Sequence, residues 1–192
     1  MPPELLAPPS HGSLSRNPRS SERNYSNATL YVGDCEFGLG VFANRLIRPG
    51  EFILGFSGPL IDFAETKRRG DWECMAFQIG PNSYFDTLAP GVFVNHSCAP
   101  NAGVRNDRDL VALCRIQKGE EIRFDYSTTM EERSFTMRCR CGAPNCRQVI
   151  TDFSELPVEL QHRYLSQGLV MNFIAERARS LPASALPTSV FW

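Results

Sequence analysis

Turn signals interrupt this chain too often for long helices or long strands to form. Glycine and proline each supply 14 of the 192 residues, and they fall at breaks such as Gly33-Asp34, Gly38 and Arg48-Pro49-Gly50. Proline presets φ at the second position of a turn, and glycine accepts the positive φ that follows. Between breaks lie short β-type runs: Leu30-Tyr31-Val32, Gly40-Val41-Phe42-Ala43, Phe52 to Phe56, Met75 to Ile79, Tyr84-Phe85-Asp86 and Leu110 to Leu113. Asn106-Asp107-Arg108 turns the chain into the last of these, and Gln117-Lys118-Gly119 turns it into a further expected strand, Glu120 to Tyr126. The expected class is mainly β, or β-rich α+β, built from small sheets.

The texture changes along the chain. Residues 1–23, rich in Pro, Ser, Asn and Arg, read as a flexible tail. Residues 24–130 read as the main domain, 131–148 as a cysteine-bearing loop, 149–180 as a helical segment and 181–192 as a second tail. In the helical segment Ser154 is the expected N-cap, with Pro157 in the first turn and Leu156, Leu160 and Tyr164 on one face. Gly168 is the expected stop, and Val170 to Arg179 a second helix. Glu65 to Arg69 reads as a short exposed helix or loop.

A net charge of -1 predicts no general grip on nucleic acid. No apolar run reaches membrane-spanning length, and the N-terminus lacks the apolar middle of a secretory signal. Seven cysteines is an odd number, and Cys139, Cys141 and Cys146 crowd together. In a reducing intracellular compartment, nucleus or cytoplasm, that pattern argues for a metal before disulfides.

Cys139-x-Cys141-x4-Cys146 brings three thiolates close, with Gly142, Pro144 and Asn145 to fold the loop back. Structural zinc takes four ligands, so one more is needed; Cys98 is the first candidate and His96 stands behind it. Cys35, Cys74 and Cys114 are isolated in apolar or strand contexts and read as buried small hydrophobes. Asn95-His96-Ser97-Cys98-Ala99-Pro100-Asn101 sets a run of polar side chains directly after Val92-Phe93-Val94. Such a run is a turn, or a place where backbone and side chains grip a small ligand. Gly38-Leu39-Gly40-Val41-Phe42-Ala43 has the spacing of a dinucleotide loop, but that loop needs a helix starting within it, and Arg48-Pro49-Gly50 cuts one off. What remains is a pair of glycines that let a backbone approach a ligand closely. Phe124 and Tyr126 share a strand face, and Phe56, Phe77, Tyr84, Phe93 and Phe135 add more aromatics than a small β core needs.

Taken in order, these residues resemble the SET-domain protein-lysine methyltransferases with a post-SET zinc loop, over roughly residues 28–148. Gly38-Leu39-Gly40 resembles the first motif, and Phe56-Ser57-Gly58 stands at the Tyr-x-Gly position. Asn95 to Asn101 fits the N-H-S-C-x-P-N signature, Glu121 to Tyr126 fits E-[LI]-x-F-D-Y, and Cys139, Cys141 and Cys146 fit C-x-C-x4-C.

The resemblance implies a pseudoknot of small β-sheets, with the strand leading to Tyr126 beside Asn95-His96. It implies S-adenosylmethionine held by Gly38, Leu39, Gly40, Asn95, the main chain of His96 and Tyr126, with Phe135 over the adenine. It implies zinc on Cys98, Cys139, Cys141 and Cys146. Tyr126 is the implied catalytic residue, and Phe124 the product-specificity residue that allows di- and trimethylation. The implied partner is a protein or peptide presenting a lysine, a histone tail or a non-histone protein. Met75 and Phe56 replace channel hydroxyls of the family, and Val92 replaces an arginine. A second reading therefore stays open, a SET-like module that binds a peptide without turnover. Asp62, Glu65, Asp71 and Glu73 form either an attractor for basic peptides or a solvated face, interrupted by Lys67, Arg68 and Arg69.

Overall fold

The short apolar runs pair into five small sheets in the computed structural model of the chain, which describes residues 20–70 and 75–180. The expected tails at 1–19 and 181–192, together with Asp71, Glu73 and Cys74, lie outside the described residues. Ser20–Arg23 forms one helical turn, α1. β1 (Leu30–Cys35) and β2 (Gly38–Ala43) make an antiparallel hairpin, closed where Gly38 takes a φ of 105°. Then follow β3 (Phe52–Gly55), β4 (Leu60–Ile61), helix α2 (Phe63–Arg68), β5 (Ala76–Gly80) and β6 (Ser83–Asp86). β4, β6 and β5 form one three-stranded sheet in that order.

The central stretch forms β7 (Asn95–His96), which is followed by the hairpin of β8 (Ala102–Arg105) and β9 (Asp109–Ala112). β3 joins β9 to complete the second three-stranded sheet. The chain then returns as β10 (Arg123–Phe124), which runs parallel to β7 with Arg123 opposite Asn95 and Phe124 opposite His96. This return segment is held from both sides. Ala43 N donates to Glu120 O (2.9 Å) and Ile122 N to Val41 O (2.7 Å), which ties it to β2. On the other side Ser97 N donates to Phe124 O (3.0 Å). Asn101 completes the ladder with its side chain: Nδ2 donates to Glu121 O (2.8 Å) and Oδ1 accepts from Arg123 N (2.9 Å).

β10 is shorter than the expected strand because Asp125 ends it. Its carboxylate accepts from Ser127 N (3.2 Å) and caps a 3-10 turn, Tyr126–Thr129. Tyr126 therefore opens a turn instead of closing a strand, although its ring still packs on Phe124 at 4.9 Å.

The C-terminal segment completes the core. After β11 (Met137–Arg138) and β12 (Val149–Ile150), helices α3 (Val158–Ser166) and α4 (Asn172–Ser180) bring Leu156, Tyr164, Leu169, Met171 and Ile174 into the hydrophobic cluster that also holds residues of β1, β2 and the β8–β9 hairpin. Backbone approach is close enough that a Cβ on Gly103 would lie 2.9 Å from Leu169 Cδ2. Ser154 is not the helix cap: it lies in a 3-10 turn, Phe153–Glu155, and α3 starts one residue after Pro157. The expected stop is in place, since Gly168 takes a φ of 64° just after α3.

Asp152 joins this segment to the end of the main domain. Phe153 N donates to Met130 O (2.9 Å), Ser154 N donates to Glu131 Oε2 (3.0 Å), and Arg133 N donates to Asp152 Oδ2. Asp152 is buried, and its Oδ1 has no hydrogen-bond partner among the described residues. Burial, reinforced by Glu131 and Glu155, pushes its carboxyl up to about 6 against the opposing amide of Arg133. The native state thus holds this proton more tightly than the unfolded chain. The associated stability is complete below the ordinary aspartate range and is lost as pH rises through about 6. Asp152→Asn keeps an acceptor for Arg133 and carries no charge. We expect urea midpoints of the parent chain to fall relative to this variant between about pH 4 and pH 7; parallel profiles would remove the role given to Asp152.

Candidate active site and metal centre

The double-sided holding of residues 120–124 brings three distant segments to one place. Asn95 Nδ2 donates to Leu39 O (3.1 Å) and Glu121 Oε1 (2.8 Å), and lies 3.4 Å from Cys35 Sγ. Gly40 faces the same group: a Cβ there would sit 2.7 Å from Glu121 Oε1 and 3.3 Å from Asn95 Nδ2. The glycine leaves a cradle that any side chain would fill. A carboxylate, a carboxamide and the backbone of Leu39 and Gly40 converge there, which suits a small ligand carrying positive charge. Leu39, Gly40 and Asn95, expected together, are together, while Gly38 is exposed at the hairpin turn, where a Cβ would meet nothing within 4 Å. Glu121 was legible only as the head of its motif; its side chain is a principal part of the cradle.

A cavity with aromatic walls is carried by the neighbouring elements. Phe56 stacks on Phe77 at 4.2 Å, Phe124 tilts against Phe56 at 5.5 Å, and Tyr126 follows Phe124. Met75 and Phe135 also line it. The Tyr126 hydroxyl donates to Val94 O (2.8 Å), so the phenol is fixed before any ligand arrives. Gln78, Thr87 and Glu132 supply polar lining that sequence reasoning missed, since nothing in their spacing marks them; Tyr84 Oη donates to Glu132 Oε2 (2.8 Å). Aromatic walls with the Tyr126 hydroxyl fixed among them, and a carboxylate at Glu132, fit an alkyl chain ending in an amine. Of the acidic residues named as a peptide attractor, Asp62 caps α2 and Glu65 pairs with Arg68 and Arg69, while Asp71 and Glu73 lie outside the described residues.

Beside the cavity lies a buried cluster of metal-type ligands. The ligand atoms of His96, Cys98, Cys139 and Cys141 all lie within 4.8 Å of one another. Cys146 packs against them, with its sulfur donating to Cys139 O (3.8 Å). Backbone amides point at the sulfurs: Cys98 N at Cys141 Sγ, Arg147 N at Cys98 Sγ and Gln148 N at Cys146 Sγ, each at 3.4 Å. Burial pushes the Cys98 thiol up to about 11 and raises Cys139 as well. At Cys141 burial is outweighed by the amides of Cys98 and Ala143, which bring it down to about 6. So many crowded sulfurs ionise together only around a cation.

The imidazole decides which four residues fit. Tyr126 N donates to His96 Nδ1 (3.2 Å), so Nδ1 is an acceptor and the ring proton sits on Nε2, 3.3 Å from Cys98 Sγ. A metal on Nε2 would move that proton to Nδ1, against the Tyr126 amide. Burial also drives the His96 pKa down to about 4, despite the pull of Asp125, which keeps the ring neutral. On this chemistry His96 serves as a donor to sulfur, which favours the thiol of Cys146, outside that 4.8 Å group, as the fourth ligand beside Cys98, Cys139 and Cys141 should the cluster hold zinc. Cys114 departs from expectation, being exposed, and Cys35 is half-buried beside the cradle.

The sequence profile of the SET domain matches residues 38–127. The chain is 33% identical over 129 residues to Histone-lysine N-methyltransferase 2B of Homo sapiens, an alignment that covers 59% of this chain and 5% of that protein. It is 30% identical over 152 residues to the Debaryomyces hansenii Histone-lysine N-methyltransferase, H3 lysine-36 specific, covering 70% of this chain and 20% of that protein. Among solved structures, a humanized mutant of the Chaetomium thermophilum Polycomb Repressive Complex 2 is similar at a TM-score of 0.47 and 24% identity, over 55% of this chain and 16% of that one. The chain thus spans a small part of the length of each of these relatives.

Metal analysis of the purified chain is expected to find one zinc ion per chain. Cys98→Ser and Cys146→Ser should each lose most of it, whereas His96→Ala should keep it. Zinc lost from the His96 variant and retained by the Cys146 variant would reverse the ligand assignment.

Proposed function

We propose, from the match of residues 38–127 to the SET domain, that the chain is a protein-lysine N-methyltransferase dependent on S-adenosylmethionine. The observation that carries the reading is the parallel β7–β10 pair, which joins the Gly40–Asn95–Glu121 cradle to the aromatic cavity ending at Tyr126. Gly38, Leu39, Gly40, Asn95 and the main chain of His96 would hold the cofactor, with Glu121 as a counter-charge and Phe135 and Tyr126 as apolar cover. When bound, S-adenosylmethionine supplies a methyl group activated by its sulfonium.

The chain's own residues have three tasks. Phe56, Phe77 and Phe124 take the aliphatic part of a lysine and exclude water. An apolar channel disfavours the ammonium form, lowering an amine pKa that is ordinarily about 10.4. The Tyr126 hydroxyl, held on Val94 O, presents a fixed dipole at the reacting end and need not move a proton. Alignment then does most of the catalysis, as expected for an in-line displacement. Phe124 has no hydroxyl to pin a water beside the amine, which leaves room for a second and third methyl group.

The substrate class that fits is a lysine-bearing protein or peptide, and the names of the relatives favour a histone. Zinc on Cys98, Cys139, Cys141 and Cys146 would be structural. A second reading, a module that binds without turnover, draws support from Met75 and Phe56 in the cavity wall, where neither carries a hydroxyl.

Incubation with labelled cofactor, histones and lysine peptides is the test. Methyl transfer is expected, with di- and trimethyl-lysine in the product mass spectrum. Tyr126→Phe should lower kcat about 100-fold, the scale of losing one preorganised polar group at a reacting centre. A melting shift with S-adenosylhomocysteine but no transfer to any lysine would favour the binding module.

A further inference from the structure

The aspartate next to Tyr126 is held by far more than a turn cap requires. Its carboxylate is buried, with only 1% of the residue exposed. Capping needs the Ser127 amide alone, at 3.2 Å from Oδ1. Yet Arg147, 22 residues on, sets its two terminal nitrogens on the two oxygens at 2.7 Å each. Tyr164, 39 residues on and buried in helix α3, donates its hydroxyl to Oδ2 at 2.9 Å. The same Arg147 reaches Ser127 Oγ (3.2 Å), and its amide reaches Cys98 Sγ (3.4 Å). A carboxylate this deep persists only when paired. Here the pairing comes from two elements outside the residues that match the SET profile.

We infer that Tyr164, together with Arg147, is a positioning residue for Tyr126, and that helix α3 is thereby part of the catalytic apparatus. This rests on the methyltransferase reading of the site. Neither residue touches the cavity; both act through Asp125. The carboxylate fixes the first turn of residues 126–129, that turn fixes the Tyr126 amide on His96 Nδ1, and the phenol is thereby kept on Val94 O. The chain has a reason to use this route: Arg147 is a planar fork matched to both carboxylate oxygens, and the phenol takes the remaining lone pair on Oδ2. Consistent with that geometry, burial and the nearby Asp125 raise the Tyr164 hydroxyl above the usual tyrosine range, so it stays a donor.

Tyr164→Phe removes one hydroxyl and keeps the ring in the core, and Arg147→Lys keeps the charge and loses the fork. In the full zinc-loaded chain we expect Tyr164→Phe to lower kcat about tenfold, the lower end of what a hydrogen bond to a charged group contributes. KM values for cofactor and peptide, and zinc content, should stay at the parent level; Arg147→Lys should show a larger kcat loss. Hydrogen exchange over residues 123–129 should quicken in both variants while the 30–43 hairpin is unchanged. An unchanged kcat per cofactor-binding chain, a loss that merely tracks zinc content, or unchanged exchange at 123–129 overturns the inference. A parent chain that transfers no methyl group sinks the methyltransferase reading alone, and the exchange contrast still decides on the clamp.

Discussion

The side chain of Asn101 stands in for a strand. It gives a hydrogen to Glu121 O and takes one from Arg123 N, at 2.8 and 2.9 Å, where a peptide unit of a neighbouring strand would do the same. β7 and β10 hold only two residue pairs, and a two-residue parallel ladder in isolation has little stability. The carboxamide lengthens that ladder without adding chain, while β2 closes the other side through Val41 and Ala43. Every functional feature inherits this junction. Asn95 meets Glu121 because 121 is pinned beside β2, and Tyr126 reaches Val94 because 124 is pinned beside 96.

The thiol cluster solves a different problem at the same place. Residues 139–148 carry few large apolar side chains, so the loop cannot bury enough hydrocarbon to hold itself down. Its fixed points are Cys139 N on Gln148 O (2.7 Å), Asn145 Nδ2 on Cys98 O (3.0 Å), Arg123 Nη1 on Cys141 O (3.1 Å), the Arg147 fork on Asp125 and the sulfurs themselves. A cation drawing those sulfurs together would replace a hydrophobic core. The position of Phe135 follows, since it packs both against this cluster and into the aromatic cavity. The same holds for His96, whose ring spans the space between Cys98 Sγ and the Tyr126 amide. Metal loop and cavity share walls, so neither can loosen alone.

Much of this was legible in the sequence, because the motifs are local. The polar run from Asn95 to Asn101, the segment from Glu121 to Tyr126 and the three late cysteines announce their chemistry by residue type and spacing. The short strands were legible from glycine and proline punctuation. What spacing could not give was the end of β10, since alternation continues to Tyr126 and only the carboxylate of Asp125 reveals a turn. Ser154 has the right chemistry for a cap, but Phe153 and Leu156 are both buried and tie the chain into a 3-10 turn first. Motif spacing also does not tell that Asp125 is buried and that Glu121 and Arg147 are half-buried. Their burial depends on partners far along the chain, and no periodicity records such pairs.

The C-terminal helices show why the fold cannot end where the SET profile does. Leu110, Val104 and Ala102, in β8 and β9, are almost wholly buried, and Leu169, Met171 and Ile174 belong to the same cluster. Gly103 has no Cβ because Leu169 occupies that space, so the hairpin and the segment after α3 are shaped to each other. Asp107, in the hairpin turn, then caps α4 by accepting from Asn172 N (2.6 Å) and Asn172 Nδ2 (2.7 Å). Met171 N donates to Thr128 O (3.2 Å), inside the turn that Tyr126 opens. The helices thus grip both the hairpin between β7 and β10 and the turn that follows β10. Removing them would uncover a sheet face and release the turn that carries Tyr126 in one step, so residues 149–180 support both structures at once.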